Sequence, residues 1–144
     1  MTTSTIASYV HHSSKRIFVK DMDKSLDFYS RIGFVRRYLV LNFAHYLSLG
    51  NINLELWHNQ NNITVPPLHD DNGREYIDPI LFINVKDIAS LQIVYEKIKD
   101  EGIEVDAREL DNDSSPYGEN FSLDDPDGYR IVFRALKNVS NIPV

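Results

Sequence analysis

Apolar residues in this chain follow two spacings in turn. Arg16 to Lys20 (Arg-Ile-Phe-Val-Lys) has strand composition, and Asp21, a good helix N-cap, then opens a segment in which Met22, Leu26, Tyr29 and Ile32 recur at helical spacing. Gly33 is placed to end that helix, and Phe34 to Leu41 reads as the next strand. His45 to Leu49 and Ile52 to Trp57 alternate at period two around Gly50-Asn51, a hairpin signal. From His58 to Asp78 the periodicity gives way to Asn, Pro, Asp and Gly, which reads as a linker. Ile80 to Val85 is again an apolar strand. Asp87 caps a helix carrying Ile88, Leu91, Val94, Tyr95 and Ile98, and Gly102 closes it. Ile103 to Leu110 is a weaker strand, and Phe121 to Leu123 with Tyr129 to Ala135 form a hairpin through Asp125-Pro126-Asp127-Gly128.

The two halves share one order of elements: strand, helix, then about three antiparallel strands. Val19-Lys20-Asp21-Met22 is answered 66 residues later by Val85-Lys86-Asp87-Ile88, and Tyr29 and Tyr95 each fall eight residues after the capping aspartate. An internal duplication accounts for both observations. The expected organisation is one α+β domain over residues 1–144. It comprises a polar leader (1–13), a first βαβββ module (14–59), a linker (60–77), a second βαβββ module (78–136) and a tail (137–144). Period-two alternation packs Ile17 and Val19 on the first helix and turns Ser14, Arg16 and Phe18 to the other face. The same rule places Asn53, Glu55 and Trp57 on that open face, with Ile80, Phe82, Asn84, Arg130, Val132 and Arg134 in the second module. A curved mixed sheet with such a lining would enclose a cleft for a small molecule.

Composition narrows the chemistry. The 144 residues include no cysteine, which removes disulfides, thiolate zinc sites and cysteine nucleophiles and favours a reducing cytoplasm. Met1 to Lys15 has neither a basic start nor a continuous apolar stretch, and no apolar run approaches the ~20 residues of a membrane span. Fifteen basic against 21 acidic residues give a formal charge of -6, the wrong sign for a nucleic-acid partner and one that makes a cationic ligand easier to attract.

Val19-Lys20-Asp21, Ser25-Leu26-Asp27-Phe28-Tyr29, Gly33-Phe34, Leu54-Glu55-Leu56 and Asp125-Pro126-Asp127-Gly128-Tyr129 occur in that order between Ser14 and Ala135. As a set they resemble the vicinal-oxygen-chelate superfamily, which contains glyoxalase I, extradiol dioxygenases, methylmalonyl-CoA epimerase, and fosfomycin- and bleomycin-resistance proteins. The resemblance implies four positions for a metal ion's ligands: Ser14, Glu55, Ile80 and Val132. Isoleucine and valine offer no N or O donor, so the expectation is no metal and no cofactor, unless His12, two residues before Ser14, approaches Glu55. Tyr46 to Trp57 most resembles the bleomycin-resistance proteins, antibiotic-sequestering dimers without chemistry of their own.

Each candidate has a plainer reading. Glu55 between Leu54 and Leu56 is either a cleft residue or a solvated acid, and Trp57 either cleft wall or core. Arg16, Arg130 and Arg134 either touch ligand or pair with acids at a rim. His11, His12 and His69 lie in polar segments, while His45 and His58 bracket the first hairpin. None of the five belongs to a nucleophile triad. Tyr117-Gly118 is either a mobile loop over the cleft or a turn. The reading carried forward is a homodimeric, cytoplasmic protein that binds a small cationic or aromatic molecule through Phe18, Glu55, Trp57, Phe82, Arg16 and Arg130, without metal chemistry. Its rivals are a metal-dependent lyase, isomerase or dioxygenase of the same superfamily, and a regulatory or structural dimer without ligand.

Overall fold

The computed structural model describes residues 5–41, 43–59, 67–108, 110, 118–137 and 139–140. The chain divides into two compact units, Met1–Ile63 and Thr64–Val144. The first contains β1 (Lys15–Val19), α1 (Met22–Arg31), β2 (Val35–Val40), β3 (Ala44–Leu49) and β4 (Ile52–His58). The second contains β5 (Leu68–His69), β6 (Glu75–Tyr76), β7 (Leu81–Asn84), α2 (Ile88–Asp100), β8 (Gly118–Asp124) and β9 (Arg130–Leu136). Among the described residues no helix is long and apolar enough to cross a membrane.

In the first unit the sheet order is β1-β4-β3-β2, with β1 parallel to β4 and the other pairs antiparallel. Asp21 caps α1 through its side chain, which accepts from the Lys24 amide. At the other end the Phe34 amide bonds back to the Tyr29 carbonyl at 2.9 Å and the Gly33 amide to Ser30 at 3.1 Å, the paired bonds of a Schellman motif. Gly33 sits at φ +110, where a side chain would be strained, so glycine ends the helix there. The helix packs on Ile17, Val19, Leu54 and Leu56, all fully buried. Its buried stripe is Met22, Ser25, Tyr29 and Ile32 rather than one through Leu26, which is only half-buried. Spacings of three, four and three keep that stripe on one line, with the small Ser25 fully buried near its centre.

The second unit repeats the plan in a three-stranded sheet, β7-β9-β8, with β7 parallel to β9. Asp87 caps α2 by accepting from the Ser90 amide at 2.7 Å. The parallel registers coincide: Arg16 faces Glu55 in the first unit, and Phe82, 66 residues after Arg16, faces Val132 in the second. The duplication therefore extends from the helix caps to the strand pairing.

Three expectations need correction. Ile103 to Leu110 is not a strand over its described residues: contact with β8 is reduced to one bridge, Asp106 with Ser122. The Leu110 amide bonds back to the Ala107 carbonyl at 3.0 Å, so the backbone turns there instead of extending along β8. Within the segment read as a linker, β5 and β6 pair as a short hairpin over an Asp70–Arg74 turn. Ile88 is 49% exposed instead of buried, because Leu91 and Ile98 carry the α2 contact. Tyr117 lies outside the described residues, but Gly118 belongs to β8 and not to a loop. An added Cβ there would stand 2.0 Å from the Ala135 carbonyl oxygen, at φ +115, so this close strand approach admits only glycine.

Candidate functional site

The face of the first sheet opposite α1 carries a transverse row fixed by the register: Arg16 beside Glu55, Glu55 beside Tyr46, Tyr46 beside Tyr38. Glu55 is 9% exposed, the only acid among the four of this unit that the fold buries. Its carboxylate is met on both oxygens. Ser14 Oγ donates to Oε2, Trp57 Nε1 donates to Oε1 at 2.9 Å, and Arg16 Nε lies 3.6 Å from Oε1. Tyr46 is a further donor. Burial alone would push the Glu55 carboxyl up, but the bonds from Ser14, Trp57 and Tyr46 and the Arg16 charge outweigh it and hold the group below the ordinary glutamate value. Burial and the adjacent Glu55 anion raise the Tyr46 hydroxyl in turn. The Arg16 guanidinium also stacks over the Trp57 ring, 4.3 Å from its centroid. Phe18 is half-buried in register with Trp57.

Beside this row is a cavity of about 320 Å³ lined by His11, His12, Arg37, Tyr38, Tyr46, Leu47 and Asn53. A bulge in β2 builds it. The register shifts between Arg36 and Tyr38, so the intervening Arg37 turns to the same face as Tyr38. Arg37 Nε donates to Ser48 Oγ at 2.6 Å, the Tyr38 and Tyr46 rings stack at 4.6 Å and 17°, and Tyr38 Oη stands 3.5 Å from His12 Nε2.

The sequence reading brought Ser14, Arg16, Glu55 and Trp57 to one place, and the structure does the same. It missed Tyr46, Tyr38, Arg37 and Ser48. Tyr46 had a signal: a two-residue turn at Gly50-Asn51 sets 46 opposite 55. The bulge that aims Arg37 had none.

In the second unit Phe82 is 47% exposed and lies under the Arg134 guanidinium at 4.3 Å, while Arg134 Nε donates to Asn84 Oδ1 at 2.7 Å. Phe82 and Arg134 occupy the diagonal that Arg16 and Trp57 hold in the first unit, with cation and ring exchanged. Val132 is buried and Ile80 half-buried. Arg130 makes a two-pronged pair with Asp124, Nε to Oδ1 at 2.9 Å and Nη2 to Oδ2 at 3.1 Å, which raises its pKa. It lines a cavity of about 460 Å³ with Glu104, Asp106, Ser122 and Asp124. This is the place in the second sheet that the tyrosine cavity occupies in the first, with acids in place of aromatics.

A metal ion does not fit the four positions the resemblance assigns. Ser14 spends its hydroxyl on Glu55, both Glu55 oxygens accept from protein donors, and Ile80 and Val132 have no ligand atom. Among the described residues no group of three or more His, Cys, Asp or Glu is placed to hold an ion.

The family model of the glyoxalase/bleomycin resistance protein/dioxygenase superfamily matches residues 7–133. A comparison with curated proteins finds no similar sequence. Among solved structures, TnmS3, an antibiotic binding protein from Streptomyces sp. CB03234, is 18% identical at a TM-score of 0.60, over 90% of this chain and 98% of that one. The fosfomycin resistance protein FosX from Listeria monocytogenes is 15% identical at 0.64, over 89% and 92%. A glyoxalase/bleomycin resistance protein/dioxygenase from Alicyclobacillus acidocaldarius is 18% identical at 0.63, over 89% and 92%. These likenesses agree with the fold described above, and the model match over most of the chain shows that it belongs to the glyoxalase/bleomycin resistance protein/dioxygenase superfamily.

Proposed function

We propose that this chain is a small-molecule-binding protein that receives an aromatic compound on the Glu55 face of its first unit, without metal chemistry. The observation that carries the reading is the state of Glu55: a buried carboxylate saturated by Ser14, Trp57, Tyr46 and Arg16, in a wall of aromatic rings. A saturated carboxylate is a poor base and a poor metal ligand, but it fixes the indole and phenol rings around it, as a preorganised stacking surface requires. The open-faced pair of Tyr38 and Tyr46 extends that surface into the cavity. Because the Glu55 charge is met by Arg16, the aromatic part of the expected ligand is better supported than the cationic part. The wider comparison contains an antibiotic binding protein of the same fold, which is consistent with capture rather than turnover.

The protein is proposed to act as a homodimer. The edge strand β2 leaves Val35 52% and Leu39 44% exposed, apolar area that a second chain would cover.

Trp57 is the chain's single tryptophan and belongs to the proposed site, so its emission reports on binding. Titration with a panel of bicyclic aromatic compounds should give a saturable change in Trp57 emission for some of them. Emission that stays flat across the panel, while the protein remains folded, would count against the reading.

A further inference from the structure

We infer that the cavity beside Glu55 selects an aromatic anion, seating a carboxylate or phosphonate group on Arg37 while the ring lies against Tyr38 and Tyr46. This rests on the proposed binding face and names the class of ligand it takes. The first observation is that Arg37 lines the cavity and that, among the described residues, its guanidinium is engaged only through Nε, on Ser48 Oγ. Among the described residues no carboxylate pairs with it, whereas Arg16, Arg31, Arg74, Arg108 and Arg130 each have one. The two Nη groups form the edge that binds a carboxylate or phosphonate through two parallel bonds.

The second observation is independent of that geometry. The net charge of -6 is unevenly divided: Met1–Ile63 has seven Lys and Arg against four Asp and Glu, or +3, while Thr64–Val144 has eight against seventeen, or -9. Four of the five histidines also fall in the first unit, and His11 and His12 line the cavity itself. Of the four acids, Asp21, Asp23 and Asp27 lie at or on α1, on the opposite side of the sheet. Only Glu55 shares the face with Arg37, and its charge is matched by Arg16. Among the described residues of the first unit, an anion in the cavity meets one uncompensated guanidinium and no uncompensated carboxylate. The remaining wall, the stacked rings of Tyr38 and Tyr46, suits a flat aromatic body.

The bulge in β2 gives the arrangement its selectivity. Without it Arg37 would alternate to the helix side and Tyr38 alone would face the cavity. With it, a cation and a stacking ring at consecutive positions serve the two ends of one amphipathic ligand.

The test is a series with one ring system and three charges: 2-naphthoate, 2-naphthamide and 2-naphthylmethylammonium, titrated into the full chain by calorimetry at low and at physiological salt. Naphthoate should bind about tenfold more tightly than naphthamide, the ammonium compound more weakly than either, and the naphthoate advantage should shrink as salt rises. Arg37→Gln should bring naphthoate down to the naphthamide level and leave naphthamide unchanged. Arg36→Gln removes the same charge from the other face, where Arg36 stands 3.4 Å from His45 Nδ1, and should leave the preference intact. Naphthamide or the ammonium compound binding as tightly as naphthoate would overturn the anion preference while leaving a binding face standing. Equal losses in both arginine variants would reduce it to net charge and overturn the role of Arg37. Binding by none of the three would overturn the binding face and the preference with it.

Discussion

Glu55→Gln tests how the open face of the first unit is held, because it preserves shape and removes only charge. The carboxylate accepts from Ser14, Tyr46 and Trp57, the last at 2.9 Å, and stands 3.6 Å from Arg16. The ion pair contributes little, since the Arg16 side chain is 54% exposed and water screens it. The charged hydrogen bonds matter more: bonds to an ionised acceptor are roughly twice as strong as neutral ones, and the amide also turns a donor toward groups that are themselves donors. Together these give an expected loss of about 1–2 kcal/mol at pH 7, or roughly 3–8 °C in Tm for a domain of this length. The loss has a pH signature. The Glu55 carboxyl is held below its ordinary value of 4.5 in the fold, so its contribution is complete above about pH 4.5 and disappears as the pH falls through the lower folded value. Urea unfolding followed by Trp57 emission, run for both proteins from pH 7 into acid, should show a stability gap that closes as the pH falls. A gap that is absent at pH 7, or constant into acid, would refute the saturated-carboxylate description.

Gly118→Ala should destabilise the second unit by about 2–4 kcal/mol in denaturant unfolding, because its Cβ meets the Ala135 carbonyl oxygen at 2.0 Å and the backbone is at φ +115. A loss under about 0.5 kcal/mol would show that the strands do not approach so closely there. Elemental analysis of dialysed protein should find far less than one Zn, Ni, Fe or Mn per chain. One ion per chain, lost on chelation together with an activity, would return the metal-dependent reading. Light scattering at micromolar concentration should give twice the 16.7 kDa of the chain, and a species at 16.7 kDa alone would reject the homodimer.

Much of this was legible in the sequence because it depends on local rules. Asp21 and Asp87 announce the two helices, Gly33 ends the first, and the Gly50-Asn51 turn fixes the β3–β4 register that sets Tyr46 against Glu55. Alternation placed Ile17 and Val19 under α1 and Arg16, Glu55 and Trp57 on the open face. The failures arose where non-local choices override local pattern. A bulge is one extra residue with no composition of its own, so Arg37 and the cavity it completes were invisible. Ile103 to Leu110 has strand-like residues, but its described residues make a single bridge to their neighbour. Arg130 alternates to the expected face but is taken by Asp124, a competition that sequence alone does not rank. The total charge pointed to a cationic ligand, yet the acids are concentrated in the second unit, and a ligand feels the nearest groups rather than the sum.

The central claim is that the Glu55 face of the first unit is a binding surface for small aromatic molecules. Chemical-shift mapping of the isotope-labelled chain during a 2-naphthoate titration tests it most directly. The predicted result is a set of saturable shifts on the Trp57 indole N–H, the Arg37 side chain and the amides of Arg16, Tyr38, Tyr46 and Glu55, with α1 unaffected. Saturable shifts confined to the Glu104–Asp106 and Asp124–Arg130 segments of the second unit, with the Trp57 indole N–H unmoved, would contradict it.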